Sequence, residues 1–336
     1  MPDTAQSALD RAIAAVPVER FHGADGHAVR PCTPASVTHR HLQMLDVQPG
    51  ANVLDIGIGS GLSAALLAEI AGPQGHVTAV DIEPHLAARA ADLYSEHGHK
   101  VTVVVSDGLL GHPSQAPYDH ILVGTTPPAI PDAWLQQLKP GGTLLCGVRI
   151  GLLPGAFAIA RVTVDAHHQP HTVEIHHGGY TPMIAAYPLA PVTRAVHPQR
   201  PEQSLTAVGE HEQCLADALL ASLIETPHIE AAPAAGPEYF HLKNWLVATA
   251  PSDLLEATLD QGNGTGIGSL APDGTAHAAV ATDEHFIADR PDSPALARLH
   301  ALVHRWQQAG APRTHQLRAR LLREGDAWNA RVSATT

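Results

Sequence analysis

The chain has 336 residues, 44% of them hydrophobic, with 33 acidic and 20 basic side chains and a formal charge of −13. That length exceeds one ordinary domain, so two are expected. The acidic balance argues against a general nucleic-acid footprint, which needs clustered lysine and arginine, and the apolar runs break off well short of the ~20 residues a membrane helix needs.

The opening run MPDTAQSALDRAIAAVPVERF lacks a basic segment followed by a purely apolar one, so no secretory signal is expected. Residues 4–16 read as a short amphipathic helix, 21–36 as a Gly- and Pro-rich loop, and 37–46 as a helix, with Val37, His41, Leu42 and Leu45 at helical spacing. A regular alternation follows. Strands are predicted at 52–57, 76–82, 100–108, 118–124 and 143–148, and helices at 62–70, from Pro84 to about Glu96, and at 131–142, where Pro140-Gly141-Gly142 reads as a stop. Strands alternating with helices imply a parallel sheet with helices on both faces. Beyond residue 150, FAIARVTVD and HTVEIHH alternate like antiparallel strands. Residues 188–204, holding Pro188, Pro191, Pro198 and Pro201, read as a linker between a first unit, 1–187, and a second, 205–336. In the second unit, helices are predicted at 211–225 and 293–310, the latter capped by Ser293 and ended by Gly310, and a hairpin at 266–281 around Pro272-Asp273-Gly274.

The segment VLDIGIGSGLSAALLAEI, 53–70, is a strand, a glycine loop and a helix. A P-loop would need a lysine reaching phosphates, and none follows Gly57, Gly59 or Gly61. A dinucleotide loop needs GxGxxG, but its last glycine would fall at Leu62. The pattern GxGxG preceded by Asp55 suits S-adenosyl-L-methionine better: this cofactor carries an ammonium and a sulfonium but no phosphate, and bare backbone at the glycines permits close approach. Asp81 ends the second strand, where a carboxylate can accept both ribose hydroxyls, and Asp107-Gly108 ends the third, near where an adenine amino group would lie. Such sheets bind ligands at the carboxyl ends of their strands. Any one acid alone could be a cap or loop residue; the three together with βαβ spacing form the signal. Asp55, Gly57, Gly59, Ser60, Gly61, Asp81, Ile82, Asp107 and Gly108 are the expected cofactor-binding residues.

These residues, with VTAVDIEPHLAARA, VSDGLLGHPSQAPYDHILVGTTPPAIPDAWLQQLKPGGTLL and GGYTPM, carry a resemblance to the protein-L-isoaspartate O-methyltransferase family over about half the chain. The resemblance implies an α/β fold: a doubly wound, mostly parallel seven-stranded Rossmann-like methyltransferase sheet, with a smaller α+β C-terminal domain added here. It implies methyl transfer to an isoaspartyl or aspartyl carboxylate, the ester closing to a succinimide. The family's Ile-Ser-x-Pro turn falls on Cys32-Thr33-Pro34-Ala35, with Pro34 displaced by one position; Thr33 would supply the hydroxyl, and Ser36 is a second candidate. The C-terminal extension is similar to that of enzymes that modify aspartate in ribosomally made peptides, which inclines the reading towards peptide maturation; general protein repair and a catalytically silent cofactor-binding scaffold are the alternatives. The expected partner is a protein or peptide bearing Asp or isoAsp, with no nucleic acid and no membrane, in the cytoplasm.

A carboxylate is ionised at neutral pH, so no general base is required. The [ND]PP[YF] motif of base aminomethylation is absent, because Thr126 and Ala129 stand at its ends. His167, His168, His171, His176 and His177 read as solvent-facing residues of an edge hairpin rather than metal ligands. The glycine run 260–270 reads as a hairpin or flexible loop, Trp306 as core and Cys146 as a small buried hydrophobe. With Cys32 and Cys214 it forms no CxxC pair, so no disulfide frame is indicated.

Overall fold

The computed structural model describes residues 7–23, 29, 32–183, 191–232, 234–249, 253–270 and 276–334. Three N-terminal helices, α1 (Ala8–Ala15), α2 (Val18–His22) and α3 (Ala35–Leu45), precede the sheet. Then come β1 (Asn52–Ile56), α4 (Leu62–Ala71), β2 (His76–Asp81), α5 (Pro84–His97), β3 (Val101–Val105) and β4 (Tyr118–Val123). A two-residue strand β5 (Ile130–Pro131), the short helix α6 (Asp132–Gln136) and strands β6 (Leu138–Arg149), β7 (Phe157–Val164) and β8 (Pro170–His176) complete the first unit. The sheet runs β3-β2-β1-β4-β6-β7-β8. Its first five strands are parallel, and β7 and β8 are antiparallel, as their alternating pattern predicts.

The period of two divides this sheet cleanly between two cores. Val53, Val77, Ala79, Leu122, Leu145 and Ile159 join Leu42, Leu62, Leu66 and Tyr94 under the N-terminal helices, α4 and α5. Leu54, Ile56, Val80, Ile121, Val123, Leu144 and Val148 point the other way. On that second face the connections are short: two 3₁₀ turns (Gly108–Leu110 and Pro113–Gln115) and the five-residue α6. The helix expected over 131–142 therefore ends early. Lys139 to Gly142 instead bulge out of β6, whose register on β4 shifts between Tyr118–Leu138 and His120–Thr143. The Pro-Gly-Gly signal marks this bulge, with Gly141 at φ 80° and Lys139 paired to Asp119.

The second unit supplies the missing cover. It contains β9 (Val192–Val196), β10 (Ser204–Val208), α7 (Gln213–Glu225), β11 (His228–Ala231), α8 (Pro237–Thr249), β12 (Leu254–Leu259), β13 (Gly262–Leu270), β14 (Ala276–Ala281), β15 (His285–Ala288) and α9 (Pro294–Gln308). The hairpin β16 (Arg318–Glu324) and β17 (Ala327–Ser333) follows. An antiparallel sheet, β11-β15-β14-β13-β12-β10-β9, packs α7 on one face through Leu219, Leu223, Leu255, Ala278, Val280 and Ile287. Its other face, with Ile267, Ala279, Ala281 and Phe286, shares one buried cluster with α8, α9 and the first unit's second face. β17 pairs with β5, and Trp328 donates its indole N–H to Asp132 at 2.9 Å.

Two expectations change here and a third narrows. The proline-rich stretch 188–204 is not a plain linker, because residues 192–196 form an edge strand on β10; proline is tolerated at strand ends and edges. The glycine run 260–270 is the hairpin of its two readings and not a flexible loop: it turns at 260–261 out of β12 and continues as the interior strand β13, where a Cβ at Gly266 would lie 1.9 Å from the Ala279 carbonyl oxygen of the adjacent strand. Ser293 stands at the N-cap of α9 but gives its hydroxyl to Asp289 at 2.6 Å instead of capping the helix. The strands of the 266–281 hairpin pair as expected, while its Pro-Asp-Gly turn lies outside the described residues. Among the described residues no helix is long and apolar enough to cross a membrane.

Candidate active site at the carboxyl ends of the strands

The loops after β1, β2, β3 and β4 surround a cavity of about 620 Å³, closed on its far side by residues 32–41 and 179–183. Asp55, Asp81 and Asp107 all line it, together with Gly57, Gly59, Ser60, Ile82, Gly108 and Thr33. Two expected residues do not. Ser36 is exposed in the first turn of α3, where its side chain leaves the cavity to Thr33, Val37 and Thr38. Gly61 serves packing: at φ 90° it caps α4, its carbonyl accepts the Tyr94 hydroxyl at 3.0 Å, and an added Cβ would press on that oxygen. Gly57, at φ 88°, turns the chain out of β1 while its N–H donates to the Val80 carbonyl at 2.8 Å.

Asp55 is fully buried. Its Oδ2 accepts the Ser63 hydroxyl at 2.6 Å, but its Oδ1 has no partner among the described residues. Burial raises the carboxyl to a pKa of about 7, the Ser63 hydrogen bond opposes that shift, and the nearby Asp81 charge adds to it. Asp81 is held by two backbone donors, Gly59 N–H at 3.3 Å and Glu83 N–H at 2.9 Å, which aim it across the glycine loop. Asp107 caps the 3₁₀ turn after β3 through the Leu109 N–H at 2.9 Å. With Glu83, four carboxyl groups line the cavity, and no lysine or arginine is among its described lining residues. Such a wall favours a cation and repels a pyrophosphate.

Several residues of the site have no local sequence signal. Arg89, from α5, donates to the Ser60 carbonyl at 2.9 Å and the Phe21 carbonyl at 2.8 Å, tying the N-terminal helices to the glycine loop. Thr126 is buried, and its hydroxyl donates to the Tyr180 carbonyl at 2.9 Å; backbone bonds to Thr181 and Met183 then fasten GGYTPM over the cavity. His41, whose helical spacing marked it as core, is 1% exposed and lines the cavity beside Tyr180. His41 Nδ1 is hydrogen-bonded to the Tyr180 hydroxyl. Burial lowers the His41 pKa to about 4, and the Arg40 charge adds to this.

His176 and His177 are not solvent-facing. His176 stacks on His315 at 6.2 Å, and His177 meets Phe240 at 6.2 Å and His241 at 5.0 Å, all from the second unit. The edge strand β8 is thus covered by the C-terminal unit, a contact that strand periodicity cannot reveal. Among the described residues no group of three His, Cys, Asp or Glu side chains is gathered to hold a metal ion.

Residues 31–165 match the family model described as protein-L-isoaspartate(D-aspartate) O-methyltransferase. Over this stretch the chain is similar to that family. Proteins named protein-L-isoaspartate O-methyltransferase are similar to it. That of Methanopyrus kandleri is 44% identical over 108 residues, 32% of this chain and 48% of its own length. That of Aeropyrum pernix is 44% identical over 122 residues, 36% of this chain and 46% of its own. A solved structure of that name aligns with 98% of this chain and 95% of its own at a TM-score of 0.43 and 16% identity. The chain spans about half the length of these curated relatives.

Arginine only donates hydrogen bonds, so Arg40 Nη2, 3.3 Å from His41 Nε2, requires that nitrogen to accept. His41 is then neutral with its proton on Nδ1. Nitrogen-15 NMR of the imidazoles is expected to show one Nδ1–H histidine that stays neutral down to about pH 5. A His41 resonance titrating near 6.5 would contradict the burial argument. The sign is that of a buried neutral histidine: its stabilising contribution is present above its ordinary pKa and is lost as pH falls towards 4.

Proposed function

We propose that this chain transfers a methyl group from S-adenosyl-L-methionine to a side-chain carboxylate of a protein or peptide. The observation that carries the reading is the acid-lined cavity, in which a buried Asp55 oxygen lacks a partner among the described residues. An ammonium fits that oxygen: it supplies both the missing donor and the charge that stabilises the ionised carboxylate. Asp81 would accept the ribose hydroxyls, Ile82 and Leu109 would flank the adenine, and Asp107 would receive its amino group. When bound, the cofactor supplies an electrophilic methyl carbon on a sulfonium.

The chain's remaining work is positioning. An ionised carboxylate needs no deprotonation; it must lie ~3–3.5 Å from the methyl carbon, in line with the breaking bond. Thr33, a half-buried cavity residue, would donate its hydroxyl to one carboxylate oxygen and leave the other to attack. The cavity wall excludes water from that approach. In the product ester, the next backbone nitrogen can attack the carbonyl, and its proton leaves with the departing methanol, which closes the succinimide.

As to the substrate, we favour an aspartyl residue of a ribosomally made peptide over general isoaspartyl repair. The displaced Pro34 alters the turn that holds Thr33, and the C-terminal unit reaches the cavity wall through His177 and the segment that follows it. The test is incubation with isotopically labelled cofactor and paired aspartyl and isoaspartyl peptides, followed by mass spectrometry. A gain of one methylene unit, or a net loss of one water after closure, is expected on the aspartyl peptide. Methylation of the isoaspartyl peptide alone would establish repair, and transfer to neither would overturn the carboxylate reading. Thr33→Ala is expected to lower kcat/KM about tenfold, one hydrogen bond to a charged group, with S-adenosylhomocysteine binding unchanged.

A further inference from the structure

The cavity holds a hydroxyl whose hydrogen has no acceptor among the described residues. Arg40 stands behind His41 and directs both of its terminal nitrogens at imidazoles: Nη1 to His177 Nε2 at 2.8 Å and Nη2 to His41 Nε2 at 3.3 Å. Nη2 also lies 3.3 Å from the His177 carbonyl oxygen. Because a guanidinium cannot accept, the His41 proton is on Nδ1, and Nδ1 donates to the Tyr180 hydroxyl. That hydroxyl is therefore the acceptor in its bond within the protein. Its own hydrogen is left to point elsewhere, and Tyr180 lines the cavity.

We propose that Tyr180 is a substrate-binding residue, its phenolic hydrogen donated to the carboxylate that receives the methyl group, and that Arg40 and His41 hold it there under a brace from the C-terminal unit. The proposal rests on the carboxylate reading above. Tyr180 does not act alone. Thr126 fixes its backbone from both sides, with its hydroxyl donating to the Tyr180 carbonyl at 2.9 Å and receiving the Tyr180 N–H at 3.3 Å. The ring stands edge-on to His41 at 5.0 Å. Arg40 meets no carboxylate among these partners, and its positive charge behind the hydroxyl opposes that of Asp55, the larger charge acting on the phenol. His177 accepts from Arg40 and is packed between that residue and Phe240 and His241 of α8. Contact with the second unit is thus passed to the cavity through His177, Arg40 and His41.

The chemistry fixes which kinetic constant changes. The carboxylate carries its full charge before transfer and loses it as the ester forms. A donor on it therefore strengthens binding more than it lowers the barrier. Tyr180→Phe is expected to raise KM for the peptide about 10- to 100-fold, the range for a hydrogen bond to a charged group, with kcat within a few-fold. His177→Ala is expected to raise KM several-fold, and His177→Gln, whose side-chain carbonyl can accept from Arg40, to restore it. His41, Arg40 and His177 are positioning residues; of these four, Tyr180 alone touches substrate.

The experiment titrates the peptide methylated by the wild-type protein into wild-type and Tyr180→Phe protein saturated with S-adenosylhomocysteine, with thermal melts and the steady-state constants beside it. Weaker peptide binding, with S-adenosylhomocysteine affinity and melting temperature unchanged, is the expected result. Equal peptide binding by the two proteins would overturn the role of Tyr180 and leave the function standing. Loss of S-adenosylhomocysteine affinity and melting temperature together would make the tyrosine structural and overturn the proposal. Wild-type protein that methylates and binds none of the aspartyl and isoaspartyl peptides would remove the carboxylate reading, and this proposal with it.

Discussion

Replacing Asp55 with Asn is expected to weaken cofactor binding at least about a hundredfold while stabilising the empty protein. The two effects share one cause. The Asp55 carboxyl is fully buried with one oxygen unpartnered among the described residues, and burial raises its pKa from 3.8 to about 7. An acid whose pKa is raised on folding binds more protons folded than unfolded, so it makes stability fall as pH rises between those two values. For Asp55 the penalty begins near pH 4, saturates above about pH 7 and is at most on the order of 4 kcal/mol. Asn carries no charge to desolvate, and its carbonyl can still accept from Ser63. Its advantage in melting temperature should therefore grow from pH 4 to pH 7 and then level off. With cofactor present the sign reverses, because removing one partner of a buried charge pair costs about 3 kcal/mol or more. Wild-type affinity should weaken by about tenfold per pH unit below pH 7, and the Asn variant should show no such slope. Calorimetric titration with S-adenosylhomocysteine across that range, beside thermal melts of the empty proteins, reads both halves. An Asn variant that binds as tightly as wild type would contradict the placement of the ammonium.

Residues 1–190 without the C-terminal unit are expected not to fold as a cooperative, cofactor-binding monomer. The second face of the first sheet has only short cover of its own, and one buried cluster runs from it into Leu242, Trp245, Leu246, Leu299, Trp306 and Trp328. The closest contacts lie around residues 147–156: a Cβ at Gly151 would meet Val247 at 2.6 Å, and Gly155 N–H donates to Glu256 at 2.7 Å. Removing the second unit would uncover Ile130, Val148, Ile150 and Leu153, all buried here. At ~2 kcal/mol for each side chain, their exposure costs about 8 kcal/mol, the size of a whole domain's net stability. Removal also strips β17 from β5 and leaves Asp132 without Trp328 and Arg323. Circular dichroism melts and size-exclusion chromatography of the truncated chain test this. A monomer with a single cooperative transition and wild-type affinity for S-adenosylhomocysteine would contradict it.

The legible parts of this molecule are those set by local period and by turn residues. Asp55, Asp81 and Asp107 end three parallel strands whose alternation is plain in the sequence, and βαβ connection places those ends side by side. Gly57 and Gly59 declare the loop because few other residues take its backbone angles. Gly61 carries the same sequence signal yet meets Tyr94, because a glycine required for helix packing and one required for ligand approach look alike without the neighbour. Lys139 to Gly142 read as a helix stop and form a bulge; turn residues mark a change of direction, not what lies on either side of it. His41, Arg89, Thr126 and Tyr180 act through partners 29 to 139 positions away. No local pattern encodes such pairs. His176 and His177 show the same limit: on an isolated hairpin they would face water, and the docking of the 3₁₀ turn Thr314–Gln316 and of α8 half-buries them.

A crystal structure with S-adenosylhomocysteine and the methylated peptide's unreacted form would test the central claim most directly. The account predicts the homocysteine ammonium within hydrogen-bonding distance of the orphan Asp55 oxygen, the ribose on Asp81, and the substrate carboxylate between Thr33 and Tyr180. Cofactor bound elsewhere, or an ammonium turned away from Asp55, would contradict it.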